Sequence, residues 1–226
     1  MGKTLFFVCC EHNYKYTIEF LLQENLAKID ETDKNNLNTP LHIACQHGHL
    51  NTVKLLIEKG IDVNSLNEHQ ETPLHLACRM KYDKIVGVLL NEHANADLQT
   101  DKGKTALHLA CETNNDKLEE EVFELEEPEA IINHQNQQGW SLLHTACKNG
   151  SIEIVRLLLK NKADIELSTN ENKTALHIAC ESGNLLLVRC LLNENANIYS
   201  KTNENKVPLH IACEMGYSEI VNELLE

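Results

Sequence analysis

A seven-residue segment recurs six times at almost constant spacing, which obliges the chain to build its core by stacking copies of one small unit. Thr39-Pro40-Leu41-His42-Ile43-Ala44-Cys45 returns as Thr72-Pro73-Leu74-His75-Leu76-Ala77-Cys78 and as Thr105-Ala106-Leu107-His108-Leu109-Ala110-Cys111, then over 141–147, 174–180 and 207–213. The motif histidines stand at 42, 75, 108, 144, 177 and 210, separated by 33, 33, 36, 33 and 33 residues. Phe6 to Cys10 aligns with Leu41 to Cys45, and Ile18 to Leu22 with Val53 to Ile57, so a degenerate first copy without the histidine makes seven. The units are read as 1–36, 37–69, 70–102, an irregular 36-residue copy at 103–138, 139–171, 172–204 and an incomplete 205–226, all in one domain.

Each unit carries its own start and stop signals. Threonine at an N-cap accepts a bond from a free helix N–H, and proline at the next position sacrifices no hydrogen bond. A first helix therefore begins at each Thr-Pro and ends near Gly48, Asn114, Gly150, Gly183 or Gly216, residues that tolerate a left-handed turn. Lys81 holds that place in its own unit, a departure expected to cost local stability. A second helix follows, with apolar residues at helical spacing such as Val53, Leu56 and Ile57, or Ile154, Val155, Leu158 and Leu159. Polar stretches such as Asn136-Gln137-Gln138-Gly139 then make a hairpin-like turn before the next cap.

This arrangement resembles the ankyrin repeat. The matching residues are Thr-Pro-Leu-His opening the first helix, glycine between the helices, Val155, Leu158 and Leu159 in the second, and the loop Gly60-Ile61-Asp62-Val63-Asn64. The resemblance covers nearly the whole chain. It implies an all-α repeat solenoid of helix-turn-helix units with β-hairpin-like loops, stacked with a right-handed curve, whose concave surface of loops and first helices binds proteins. Bottom-up reasoning agrees that a lone unit cannot bury its apolar face and must stack on neighbours.

Composition narrows the setting. No apolar run approaches the roughly 20 residues a membrane helix needs, and the first ten residues lack a small-residue cleavage site, so an intracellular protein of cytoplasm or nucleus is expected. Seven of the nine cysteines fall at one motif position, which fits small buried thiols rather than disulfide pairs. A net charge of −14 argues against a nucleic-acid backbone as partner and favours a basic protein, although much of such acidity is simply solvated surface.

Chemistry finds little foothold. The His-x-x-Cys pairs contain zinc-type ligands, but each histidine stands three residues after its cap, where it can reach back to the helix start as in a capping box, and neighbouring pairs lie a whole unit apart. Cysteines packed in apolar surroundings are quiet nucleophiles. Cys190 is read as packing, with Arg189 as a weak activator in the alternative reading. Gly103-Lys104-Thr105 ends like a phosphate loop, yet Leu98 stands where its first glycine belongs. No enzyme activity, cofactor, metal or small-molecule substrate is expected.

The resemblance places partner contacts at the hairpin tips and just after each Ala-Cys. Trp140 is the leading candidate: it is the only tryptophan and follows the tip glycine, where its ring either anchors a partner or folds back over the adjacent loop. Arg79, Met80, Lys104, Lys148, Lys173, Lys206 and Met215 complete the candidate contacts. The fourth unit reads Lys117 to Glu129 as a longer second helix striped by Leu118, Val122 and Leu125. Its Glu119, Glu120, Glu121, Glu124, Glu126 and Glu127 form either an acidic patch for a basic partner or a solvated face. Asn64 and Asn133 occupy the position of the asparagine hydroxylated in some relatives of the resemblance; a loop side chain bonding its own backbone is preferred.

The leading expectation is therefore a non-catalytic protein-interaction module using the concave face. One alternative is an inhibitor or host-directed effector acting on a target enzyme. Another is a spacer within a larger protein, because Phe6, Phe7 and Phe20 are expected to be exposed at the first unit and the last unit stops without a loop.

Overall fold

Seven- to nine-residue helices are too short to be stable alone in water, so their existence depends on caps and packing. The computed structural model of the chain describes residues 4–113 and 132–226, and it divides into two compact units, Met1–Thr113 and Asn114–Glu226. The first holds α1 (Leu5–Glu11), α2 (Lys15–Gln23), α3 (Pro40–Gln46), α4 (Leu50–Glu58), α5 (Pro73–Arg79), α6 (Asp83–Asn91) and α7 (Ala106–Glu112). The second holds α8 (Leu142–Asn149), α9 (Ile152–Lys160), α10 (Ala175–Glu181), α11 (Leu185–Asn193), α12 (Pro208–Met215) and α13 (Ser218–Leu225). Among the described residues there is no β-strand beyond one isolated bridge, Ser168 to Thr174. The fourth copy's second helix, its apolar stripe, Asn114 and the glutamates from Glu119 to Glu127 lie outside the described residues.

Within each unit, like packs on like. First helices form one layer, α1 on α3, α3 on α5 and α5 on α7, then α8 on α10 and α10 on α12. Second helices form the other, α2 with α4 and α4 with α6, then α9 with α11 and α11 with α13. The core is the apolar seam between layers. Val53, Leu56, Val86 and Leu89 are sealed from solvent in the first unit, as are Val155, Leu187, Val188 and Leu191 in the second. Each such side chain contributes about 1.5–3 kcal/mol, which is what holds the short helices together. Phe6 and Phe7 are buried at 2% exposure each, contrary to the expectation, because they take the places of Leu41 and His42 against the next unit; Phe20 is exposed.

Within each unit the motif histidine ties one copy to the next. His42 Nδ1 accepts the cap amide of Thr39 at 3.1 Å and lies 2.8 Å from the Thr39 hydroxyl, whose oxygen accepts the His42 amide. Because Nδ1 accepts an N–H, the ring proton belongs on Nε2, which donates to the Glu71 carbonyl of the following copy at 2.9 Å. The same bridge joins His75 to Lys104 at 3.1 Å, His144 to Lys173 at 3.0 Å and His177 to Lys206 at 3.2 Å. Val207, with no hydroxyl, leaves His210 only the amide half of this cap, at 3.1 Å.

Glycine turns interlock the copies a second way. Gly48 and Gly183 adopt φ of +74° and +70°, and a Cβ there would meet the rings of Tyr82 and Tyr217 at 2.7 and 2.6 Å. Lys81 takes the same left-handed conformation at φ 60°, the strain expected of it.

Two predictions follow from these ties. Burial lowers the pKa of His42, His75, His144 and His177, to about 4 at His144, so the folded chain keeps them neutral. Unfolding then takes up protons once the pH falls below the ordinary histidine value. The contribution is complete above about pH 6.5 and drains away as pH falls toward 4, by about 1.4 kcal/mol per pH unit for each titrating histidine. The urea midpoint should therefore fall steadily from pH 6.5 to pH 5; a flat profile would contradict the neutral bridge. Separately, Gly216→Ala, whose Cβ meets nothing within 4 Å, should lose about 1 kcal/mol for its positive φ. Gly183→Ala should lose more, and equal losses in chemical denaturation would show that Tyr217 simply moves aside.

Candidate functional site

Each first-helix cap is extended, and the residue eight positions after the one that precedes it is the last or next-to-last residue of the first helix. A seven-residue helix is only about 10 Å long, so two long side chains at these places can meet along its flank. Lys104 Nζ reaches the Glu112 carboxylate at 2.5 Å, Lys173 reaches Glu181 at 3.2 Å and Lys206 reaches Glu214 at 2.9 Å. In the second copy of the full motif the polarity is reversed, with Arg79 on the helix and Glu71 before the cap. Burial alone would raise the Glu71 carboxyl pKa, but hydrogen bonds from Arg79 and Asn67 and the Arg79 charge outweigh it and hold the carboxyl below its usual value.

Trp140 occupies the same register with Lys148 as its mate. The Lys148 ammonium lies 5.0 Å from the centre of the indole, and the ring also tilts against His144 at 6.1 Å. The ring thus packs on its own first helix, through Lys148 and His144, and is half-buried. Arg79, Lys104, Lys148, Lys173 and Lys206 all sit in this row, each engaged with a neighbour of the same copy. Met80 and Met215 lie one residue further along, 43% and 48% exposed. The carboxylate mates Glu71, Glu112, Glu181 and Glu214 are the members that motif reading left unpaired, though opposite charges at i and i+8 were visible in the sequence.

The tips are pinned from within and between copies. Thr100, Asn136, Thr169 and Thr202 close their loops by amide-to-carbonyl bonds of 2.9 Å to Lys104, Trp140, Lys173 and Lys206. Successive tips are joined by Asp101 N to His69 O at 3.0 Å in the first unit, and by Asn203 N to Glu171 O at 3.0 Å in the second. Asn64 and Asn133 depart from the preferred reading: their Oδ1 atoms accept the amides of Asn95 and Asp164 in the next copy, at 2.7 and 2.8 Å, rather than their own backbone.

The cysteine and histidine chemistry is quiet. Burial pushes the Cys10 and Cys180 thiols up to about 12, and it raises Cys45, Cys78 and Cys147 as well. Cys213, expected to be buried like its counterparts, is exposed, since α12 packs on a first helix, α10, on one side. Arg189 does not activate Cys190; it bonds Glu223 at 2.7 Å, and Arg156 is the cation beside the thiol. Both ring nitrogens of His42, His75, His144 and His177 are engaged by backbone, which leaves these imidazoles no lone pair for a metal. No described helix is long and apolar enough to cross a membrane.

The family model described as ankyrin repeats in three copies matches residues 5–100, 85–169 and 162–226. The ankyrin repeat domain of Bcl-3, a member of the IκB family, superposes with TM-score 0.84 at 26% identity, covering 100% of this chain and 99% of that one. The human ASB11 ankyrin repeat domain does so with TM-score 0.84 at 23% identity, covering 98% of each chain. Among curated proteins, delta-latroinsectotoxin-Lt1a of Latrodectus tredecimguttatus is 47% identical over 53 residues, 24% of this chain but only 4% of that much longer protein.

The Trp140–Lys148 contact should be measurable on its own. A double-mutant cycle with Trp140→Leu and Lys148→Met is expected to give a coupling of about 0.5–1 kcal/mol in unfolding free energy. A coupling indistinguishable from zero would mean the ammonium does not rest on the ring in solution.

Proposed function

Because the chain belongs to the ankyrin repeat family, we propose that it is a non-catalytic module that binds a partner protein across its hairpin tips and first helices, with Trp140 as the anchor. Ankyrin repeats are generally protein-interaction modules. The observation that carries the choice of face is the half-exposed indole, held in place by Lys148 within a row otherwise made of charged pairs. A large side chain positioned before the partner arrives loses little freedom on binding, which is what interface hot spots require. The row also carries Arg79, Lys104, Lys173 and Lys206, whose surface pairs are worth at most about 1 kcal/mol each and can be exchanged for contacts with a partner.

The basic partner suggested by the net charge of −14 and the intracellular setting belong to this proposal, and its alternatives are an inhibitor or host-directed effector acting on a target enzyme and a spacer within a larger protein. The test is affinity capture from native extract with three baits: the chain, Trp140→Ala, and a form with Glu119, Glu120 and Glu121 changed to Gln. Trp140→Ala should weaken retention of the main partner by about 2 kcal/mol, roughly thirtyfold in Kd. Loss only with the Gln form would move the site to the acidic segment, and unchanged affinity of a folded Trp140→Ala would remove the anchor.

A further inference from the structure

The row of pairs is not uniform, and its last members make a shaped site. In the second unit a cleft of about 330 Å³ opens between two neighbouring tips and α12. Two lysines stand at its base, each holding two carboxylates: Lys173 binds Glu171 at 3.1 Å and Glu181 at 3.2 Å, and Lys206 binds Glu204 at 3.0 Å and Glu214 at 2.9 Å. Four carboxylates against two ammonium groups leave a net charge of −2. The ammonium groups also lie beneath: Lys173 and Lys206 are 23% and 34% exposed, against 72% for Glu171 and 74% for Glu204. Ile211 and Met215 line the same cleft and supply apolar surface.

Hydrogen-bonding capacity decides what fits. Each ammonium has three donors and already serves two carboxylates, whereas each carboxylate offers about four acceptor sites and keeps most of them open. What the cleft presents outward is therefore acceptor capacity over an apolar wall. That combination suits a planar, multiply donating cation on an aliphatic stem. The chain shows this pairing on its own equivalent positions, where the Arg79 guanidinium spans both oxygens of Glu71.

We infer that the cleft between the 171–173 and 204–206 tips receives an arginine side chain of the partner protein, its guanidinium on the outward carboxylates and its stem along Met215. This rests on the reading that the tip and first-helix face binds a protein, and names the chemistry of one contact. Met80 stands at the register of Met215 in another copy, beside the already occupied Glu71–Arg79 pair, and is a built-in control.

The chain contains only three methionines, so methyl-labelled methionine gives a readable spectrum of the intact protein. N-acetyl-arginine amide, added at millimolar concentrations, should shift the Met215 methyl signal saturably and leave Met80 in place. N-acetyl-lysine amide should bind at least about threefold more weakly, because an ammonium lacks the rigid planar fork that bonds a carboxylate through two parallel N–H donors, and N-acetyl-glutamate amide should not shift Met215. Glu204→Gln with Glu214→Gln should weaken the arginine response about tenfold at an unchanged unfolding midpoint. An unmoved Met215, or equal responses to the arginine and glutamate probes, overturns the proposal on the unaltered chain, whatever the double variant does. A silent Met215 beside a partner lost with Trp140→Ala sinks only the arginine cleft. A responsive Met215 with no partner captured leaves the cleft standing and sinks the wider reading.

Discussion

In four copies one imidazole, that of His42, His75, His144 or His177, carries the stacking. It satisfies the cap amide, meets the threonine or serine hydroxyl and donates to a carbonyl 29 residues further on, so three polar groups are paired in a place water does not reach. Left unpaired, each would cost about 1–3 kcal/mol, more than a helix of two turns can recover from its own backbone bonds. The carbonyls that these rings hold belong to Glu71, Lys104, Lys173 and Lys206. Those are the residues whose side chains form the outer row. Holding the main chain of the residue before the cap on its inner side leaves its side chain to the outer row, so the stacking bond and the row of pairs meet at the same residues.

How much of this the sequence discloses depends on how far apart the interacting atoms lie along the chain. The Thr-Pro caps, the glycine turns at 48, 150, 183 and 216, and the reach of each histidine back to its cap were legible, because each involves residues within a turn or two. The far end of the same histidine was not, since nothing at Glu71 or Lys104 marks its carbonyl as an acceptor. Tyr82 over Gly48 and Asn64 under the Asn95 amide were hidden for the same reason: both are contacts between copies. Phe6 and Phe7 misled because hydrophobicity at the first unit was read as exposure, when their register with Leu41 and His42 already pointed them inward.

The candidate face was legible as positions and not as pairs. Listing the residues before each cap and after each Ala-Cys picked out Lys104, Lys173 and Lys206, which share one register of the repeat. Treating each as a free charge overlooked the glutamate eight residues on, which the length of the intervening helix places within reach. The difference matters for recognition. A row of open lysines would attract acidic partners, whereas lysines capped by more exposed carboxylates present the opposite sign to anything approaching from outside.

This division of labour explains how one scaffold can carry an uneven surface. The stacking bond uses the backbone carbonyl of the residue before the cap, which every amino acid possesses, so that position is free to be Glu71, Lys104, Lys173 or Lys206 without disturbing the joint. The exposed pairs it forms are weak enough, at about 0–1 kcal/mol, to be reversed or replaced at little cost to folding. The imidazole has no such freedom, because any side chain that fails to serve the amide and the carbonyl together strands buried polar groups. Stability is thus concentrated in the buried joint, while the exposed row contributes little to it. That separation is what lets the reversed pair at Arg79, the indole of Trp140 and the carboxylate-rimmed cleft at Lys206 differ in chemistry while sharing one register of the repeat.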